Sequence, residues 1–415
     1  MEYGLIGEHL THSFSKEIHS VIAEYKYELC ELAPEELEAF MRERKFRAIN
    51  VTIPYKEKVI PCLDFVSDSA KAIGAVNTVV NRDGKLYGYN TDFLGMKALI
   101  NYTGLELKGK KVLILGTGGT SKTASAVARE LGAKTVLRVS RTKRGDGEVI
   151  DYGQAVSEHS DARILINTTP SGMYPTCEGS AIDTAKFPKL EGVIDAVYNP
   201  LRTDFVSDVL ERGLLAQGGL YMLVAQAVFA SEIFIDKKYG EEIINGVFAS
   251  MLKEKENIVL TGMPGAGKTT VGKLLAKELG REFIDTDDKV KEKIGCEISE
   301  YIKKNGEAKF RDIETEAVKE ASKLSGVVIA TGGGAVLRAE NVRALKRSGK
   351  VFFIDRPIDK ITPTASRPLS CDRAALEARY RERYGIYTGT ADITVDGSAE
   401  ADEVAASIKK EFETI

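Results

Sequence analysis

At 415 residues, 43% of them apolar and 29% charged, with a net charge of -3, the chain has an ordinary soluble composition and length enough for two to four domains. Both signs of charge are scattered along it, which argues against a nucleic-acid partner, and no apolar run approaches the ~18 residues of a membrane span. The five cysteines lie far apart with no C-x-x-C pair, so a reducing cytoplasm is the expected home.

Met1 to Gly7 reads as a first strand, not as a charged and then apolar leader. The first hundred residues alternate short apolar runs with helical stretches, as an α/β domain does. In GEHLTHSFSKEIH, Ser13 and Ser15 follow the opening strand and precede a helical face of Ile18, Val21, Ile22 and Tyr25. Two hydroxyls spaced by two in an extended turn point the same way. On spacing alone a helix N-cap accounts for them better. His9 and His12 could share a metal, but no Cys, Asp or Glu cluster supports them. With four histidines in the chain, histidine is not expected to be the acid or base.

AINVTIPYKEKV then places Asn50, Thr52 and Lys56 at the end of an apolar run, GAVNTVV carries Asn77, and GYNTDFLG carries Asn90, Thr91 and Asp92 before another helix. A lone lysine or aspartate is usually a solvated charge. These stand at strand ends, where an α/β sheet opens its binding crevice.

From Lys110 the texture changes. KKVLILGTGGTSKTASAVARELG is a buried strand, a glycine turn and a helix, and TVLRVS is a second strand. Gly116, Gly118 and Gly119, with Thr120 behind them, match a dinucleotide-binding turn in which Ser121 takes the place of the usual third glycine. The second strand ends in Ser140, Arg141, Thr142, Lys143 and Arg144 where an acid would suit a free ribose 2′-hydroxyl. Basic residues there suit a 2′-phosphate, so NADP is expected over NAD, a solvated basic loop being the alternative. ARILINTTP ends in Asn167, Thr168, Thr169 and Pro170, EGVIDAVYNP ends in Tyr198, Asn199 and Pro200, and the helical GGLYMLVAQAVFASEIF carries Gln226. A charged link, 253–256, closes this part.

NIVLTGMPGAGKTTVGKLLAKELG follows as strand, loop and amphipathic helix. Gly262, Gly267, Lys268 and Thr269 fit G-x-x-x-x-G-K-[ST], and Gly265 adds room for backbone amides to converge. Glycines let the main chain curl around phosphate oxygens, and the helix N-terminus adds partial positive charge. Lys268 would reach the terminal phosphates of ATP, Thr269 would ligate Mg²⁺, and Ala266 and Thr270 complete the cradle. A further strand, VFFID, ends in Asp355, which could pass for the carboxylate of a motor-type ATPase.

The N-terminal motifs, in this order over residues 1–252, resemble shikimate dehydrogenase: S-x-S at Ser13 and Ser15, NVTIPYK ending in Lys56, GAVNT, NTD, GTGGTS, SRT and MLVAQ. The resemblance implies reduction of 3-dehydroshikimate to shikimate by NADPH, with Ser13 and Ser15 holding the carboxylate and Thr52, Asn77, Asp92 and Gln226 holding oxygens. Tyr198 joins this substrate set. Reducing a ketone needs hydride at carbon and a proton at oxygen, and a lysine ammonium can supply the proton. Lys56 is the expected donor, with Asp92 as its partner.

Residues 257–415 resemble shikimate kinase. In FIDTDD, Asp285 could anchor Mg²⁺ through water and Asp287 could orient the attacking hydroxyl and accept its proton. By similarity Arg311 and Arg383 would clamp the shikimate carboxylate, Gly332, Gly333 and Gly334 would bring backbone close to the substrate, and Arg367 would arrive on a mobile lid to neutralise phosphoryl charge. Two departures stand out: RPIDKITPTA before SRPL is short and lacks the usual basic pair, and RYGIY replaces the commoner R-x-P-L-Y. Base selectivity is left open by the first.

The expected architecture is therefore α/β throughout: a substrate domain over 1–100 completed by helices in 220–252, a Rossmann NADP domain over 101–219, a linker at 253–256 and a P-loop kinase domain of the nucleoside-monophosphate-kinase kind over 257–415. The expected function is a bifunctional enzyme of aromatic amino-acid biosynthesis that uses NADPH, ATP and Mg²⁺ on small acids, with no nucleic acid or membrane partner. Its oligomeric state is open, a homodimer included. The rivals are quinate in place of shikimate, another small alcohol for the kinase, and a non-catalytic N-terminal half that senses shikimate or scaffolds the kinase.

Overall fold

A computed structural model describes residues 1–10, 14–142, 147–361 and 373–414. The chain forms two compact units, Met1–Met251 and Leu252–Ile415.

The first unit opens with β1 (Tyr3–Gly7), β2 (Tyr27–Glu31), β3 (Ala48–Val51), β4 (Phe65–Val66), β5 (Thr78–Arg82) and β6 (Lys85–Tyr89), interleaved with α1 (Ser15–Ile22), α2 (Leu37–Glu43) and α3 (Asp68–Ile73). They form one sheet in the order β2-β1-β3-β5-β6-β4. β1, β2 and β3 are parallel, whereas β5 runs antiparallel to both β3 and β6. α4 (Thr91–Thr103) starts where β6 ends. Its N-cap is Asn90, whose side chain accepts from the Phe93 amide at 3.2 Å and donates to the Ala75 carbonyl at 2.9 Å. The cap thus fixes the residue two places before Asp92 to the loop that carries Asn77.

The second sheet holds β7 (Lys111–Leu115), β8 (Thr135–Ser140), β9 (Val149–Asp151), β10 (Ile164–Asn167), β11 (Gly192–Asp195) and β12 (Leu215–Gln217), with α5 (Gly119–Glu130), α6 (Tyr152–Ser157) and α7 (Asp204–Leu210). All pairings are parallel, in the order β9-β8-β7-β10-β11-β12. This is the doubly wound dinucleotide-binding order, and its crevice opens where β7 and β10 diverge. The near-continuous burial of β7, β10 and β11 follows from helices covering both faces.

α8 (Leu220–Ile235) then returns to the first sheet and packs along α4. Gly95 lets the two helices meet, because a Cβ there would stand 2.8 Å from the Met222 carbonyl oxygen and 2.9 Å from the Gln226 Cβ. α9 (Glu241–Lys255) follows. The charged segment read as a link is therefore mostly the last turn of this helix. Lys and Glu favour helix, and Lys253 and Lys255 sit at its negative end.

In the second unit, β13 (Asn257–Thr261), β14 (Phe283–Asp285), β15 (Val328–Ala330), β16 (Gly349–Asp355) and β17 (Ile393–Asp396) form a parallel sheet in the order β14-β15-β13-β16-β17. α10 (Lys268–Leu279), α11 (Thr286–Ile294), α12 (Ile298–Asn305), α13 (Glu307–Ser322), α14 (Ala339–Ser348), α15 (Arg373–Thr390) and α16 (Ala401–Glu413) surround it. Ile258, Leu260, Phe352 and Ile354 lie at 0–1% exposure in the core, so the loop after β13 rests on a packed base. Among the described residues, no helix is long and apolar enough to cross a membrane.

Candidate active sites

In the first unit Lys56 lies in the turn after β3 and Asp92 in the first turn of α4. Their Nζ and Oδ2 atoms stand 2.6 Å apart, with side chains 29% and 19% exposed. Tyr55, fully buried beside Lys56, donates its hydroxyl to the Leu32 carbonyl, and the Val76 amide donates to the Lys56 carbonyl at 2.8 Å. The lysine backbone is thus held on both sides while its ammonium reaches half-open space.

Asn77 is nearly buried, and its Oδ1 accepts from the Thr91 amide at 2.7 Å and from the Thr78 hydroxyl at 3.0 Å. Asn50 continues the network, accepting from the Tyr27 hydroxyl at 2.7 Å and donating to Thr78 at 3.1 Å. Thr52 is half-buried at the end of β3, its methyl group against Gly7. Gln226 sits on α8 against Gly95 and donates to the Leu223 carbonyl at 2.8 Å. Phe14 caps α1 without a side-chain bond, so Ser15 is the first helical residue and not the N-cap. The Phe14 ring meets that of Tyr198 at 5.5 Å, which ties the start of α1 to the loop after β11. Ser13 and His12 lie outside the described residues. Burial lowers the His19 pKa to about 3, so that imidazole is neutral inside its aromatic stack.

The glycine turn follows β7. Gly116 has φ +113°, and a Cβ on it would stand 2.8 Å from the Thr168 hydroxyl, whereas Gly118 and Gly119 face open space. A close-packed first glycine and two open ones at a helix start make a cradle that fits a pyrophosphate. Ser121 is fully buried, with its hydroxyl donating to the Gly118 carbonyl at 2.6 Å. The residue in the third-glycine position is thus packed inside the turn. Thr120 is the second residue of α5; Ser140 ends β8, and Arg141 and Thr142 follow it exposed, while Lys143 and Arg144 lie outside the described residues.

Two groups here escaped sequence reasoning. Asp195 is fully buried and accepts from Thr203 at 2.5 Å, Asn167 at 2.9 Å and the Val197 amide at 3.0 Å, with burial raising its pKa to about 6. It binds the NTT loop to the VYNP loop, and its only signal was an acid ending an apolar strand. Lys122, on α5, reaches Glu57 at 3.0 Å, beside Lys56.

In the second unit Pro264, Gly265, Gly267, Lys268, Thr269 and Thr270 line a cavity of about 560 Å³ together with Asp285, Asp287, Arg311, the triplet Gly332 to Gly334, and Arg383. Gly262 and Ala266 form the buried base of the loop, Gly262 at φ +144°. Lys268 Nζ donates to the Gly262 and Met263 carbonyls at 2.8 and 3.1 Å. The Thr269 hydroxyl donates to Asp285 at 2.8 Å. A hydroxyl and a carboxylate side by side are a hard oxygen set that fits Mg²⁺. Asp287 faces the same space, and burial first, then the Asp285 charge, raise its pKa to about 6.

Each glycine of the triplet faces a close neighbour that an added side chain would displace. A Cβ on Gly332 would lie 2.5 Å from Asp287 Oδ1, on Gly333 2.7 Å from Pro264, and on Gly334 2.2 Å from an Arg311 nitrogen. Arg311 Nη1 donates to Glu314 at 2.7 Å and Nη2 to Glu307 at 2.8 Å. Burial works against that guanidinium, but Glu314 and then Glu307 more than offset it, so its pKa stands above the ordinary arginine value. Arg383 donates to the Gly333 carbonyl at 3.0 Å, and Tyr387 donates to the same oxygen. Asp355 takes the Tyr384 hydroxyl at 2.9 Å and is not among the cavity-lining residues, so the motor-ATPase reading loses its carboxylate. Arg367 and residues 362–366 before it lie outside the described residues.

Fold and sites define a class first: an α/β dinucleotide-dependent oxidoreductase unit followed by a P-loop small-molecule kinase unit. Comparison with known proteins narrows this. The family model for the shikimate dehydrogenase substrate binding domain matches residues 5–79, and that for shikimate kinase matches residues 264–413. The NADP(+) shikimate dehydrogenase of Clostridium beijerinckii is 36% identical over 261 residues, covering 60% of this chain and 96% of the relative. The chain belongs to the shikimate dehydrogenase family and carries a shikimate kinase domain after it. Among solved structures, Thermus thermophilus shikimate 5-dehydrogenase in complex with NADP(H) and shikimate aligns at TM-score 0.55 and 29% identity, over 60% of this chain and 99% of that one. Quinate dehydrogenase from Corynebacterium glutamicum, in complex with NAD, aligns at TM-score 0.54 and 25% identity, over 60% and 99%.

Proposed function

We propose that the first unit reduces 3-dehydroshikimate to shikimate and that the second phosphorylates shikimate to shikimate 3-phosphate. The observation that carries the reading is the joining, in one chain, of a shikimate dehydrogenase family unit to a shikimate kinase domain, so that the product of one reaction is the substrate of the other.

NADPH supplies the hydride to the carbonyl carbon, and Mg·ATP supplies the phosphoryl group. In the first unit Lys56 Nζ gives a proton to the carbonyl oxygen as its bond to carbon becomes single. Asp92, 2.6 Å away, holds the ammonium in place and accepts from a substrate hydroxyl. Ser13 and Ser15 bind the carboxylate, and Thr52, Asn77, Tyr198 and Gln226 orient the ring oxygens. Gly116, Gly118, Gly119 and Thr120 cradle the pyrophosphate of NADP, and Ser140, Arg141 and Thr142 read its 2′-phosphate.

In the second unit Asp287 orients the attacking hydroxyl and takes its proton while oxygen bonds phosphorus and ADP leaves. Lys268 and Arg367 offset charge on the transferring group, and Gly262, Gly265, Ala266, Gly267 and Thr270 shape the phosphate cradle. Thr269 and, through water, Asp285 hold Mg²⁺. Arg311, Arg383, Gly333 and Gly334 receive shikimate.

The relative from Corynebacterium glutamicum favours one second reading, in which quinate replaces shikimate in the first unit. Oxidation of shikimate and quinate with NADP⁺ and with NAD⁺, side by side, separates the two. Preference for shikimate and NADP⁺ is expected. Lys56→Ala should lower reductase turnover by about 10²- to 10⁴-fold, the usual range for a lost general acid, with kinase turnover unchanged. Unchanged reductase turnover in that variant would assign the proton to another group, whereas a wild-type chain without reductase turnover would leave the first unit a sensor or scaffold.

A further inference from the structure

The acid-binding end of the kinase cavity contains Arg311, Arg379 and Arg383, and their charges are not equally available. Arg311 is matched by two carboxylates, Glu314 at 2.7 Å and Glu307 at 2.8 Å. Lys291, also in the lining, stands 3.3 Å from Glu297. Arg383 is 4% exposed and donates to the Gly333 carbonyl, and its buried Nε finds no partner among the described residues.

Arg379 lies one helical turn before Arg383 on α15 and lines the same cavity. Among the described residues it makes no hydrogen bond and no ion pair. Like charges four residues apart on a helix repel. Burial first, and then the Arg383 charge, hold the Arg379 pKa below the ordinary arginine value. The arrangement is costly as it stands and is relieved by an anion placed between the two guanidiniums.

We propose that Arg379 is a second arm of the carboxylate site, gripping the substrate acid together with Arg383, while Arg311, neutralised by its glutamates, contributes donors and no net charge. The proposal deepens the kinase reading and rests on it.

The test is steady-state ADP release by the full chain with shikimate and with its carboxamide, for wild type, Arg379→Gln and Arg379→Lys. A charge-assisted hydrogen bond is worth about 10- to 100-fold, so R379Q should raise the KM for shikimate by that factor. Turnover at saturation and the KM for Mg·ATP should stay within about threefold, R379K should recover part of the loss, and the carboxamide should show no difference between R379Q and wild type. A shikimate KM within about twofold of wild type in R379Q, a loss confined to turnover, or an equal loss on the carboxamide would each overturn the proposal. A wild-type chain without shikimate-dependent ADP release would overturn the kinase reading itself, a result distinct from these three.

Discussion

Asp287 illustrates how a single side chain is tuned by where the fold puts it. Burial and the neighbouring Asp285 raise its pKa to about 6, so it ionises close to the working pH. A base must be ionised to accept a proton, and the raised value means that the carboxylate is lost as pH falls through about 6. The kinase kcat/KM should therefore fall about tenfold per pH unit below that point, and Asp287→Asn should remove the limb along with at least 10² of the turnover. A flat profile between pH 5 and 7 would assign the proton elsewhere. At this scale the ordered motifs pointed to residues that the fold does bring together, Lys56 beside Asp92 and Lys268 in one cavity with Asp287. The sequence was silent on Asp195, Glu314 and Arg379, because an acid or arginine gains its meaning from partners that only tertiary packing supplies. It also offered an N-cap for Ser15, which the helix does not use: Phe14 takes that place.

The two glycine turns are the elements on which both nucleotide sites depend, and each works by excluding side chains in a different way. At Gly116 the backbone has φ +113° and approaches the Thr168 hydroxyl, so an added Cβ meets strain and contact together. Gly116→Ala should cost the first unit about 1–3 kcal/mol, the usual range for an unfavourable backbone region. It should also raise the KM for NADPH about tenfold, ~1.4 kcal/mol, with the kinase KM values unchanged. Thermal unfolding followed by NADPH titration checks both, and a variant equal to wild type would show that the turn is not the cradle described. Strand, turn and helix were legible around both loops because buried parallel strands read as continuous apolar runs. Two details were not: Ser121 packs inside the turn with a hydrogen bond back to Gly118, and the supposed link at 253–256 belongs mostly to α9. Composition marks a charged stretch equally well as a loop or as the last turn of a helix, and only the continuity of packing along α9 decides.

On the scale of the whole molecule, the chain divides after Met251 into a unit with two sheets and a unit with one. Each has its own packed core, so each can carry its own chemistry. The change from a dinucleotide turn to a P-loop was visible in the sequence, since the two motifs differ in spacing and each follows a buried strand. Architecture and family follow from that much. The central claim is that the two units act on successive intermediates, and it is tested most directly in one cuvette: full-length protein with 3-dehydroshikimate and NADPH, then Mg·ATP, with NADPH loss and ADP release followed together. The account predicts NADPH consumption first, and ADP release that begins only as shikimate forms. No NADPH consumption, with ADP release appearing only when shikimate is added, would contradict it.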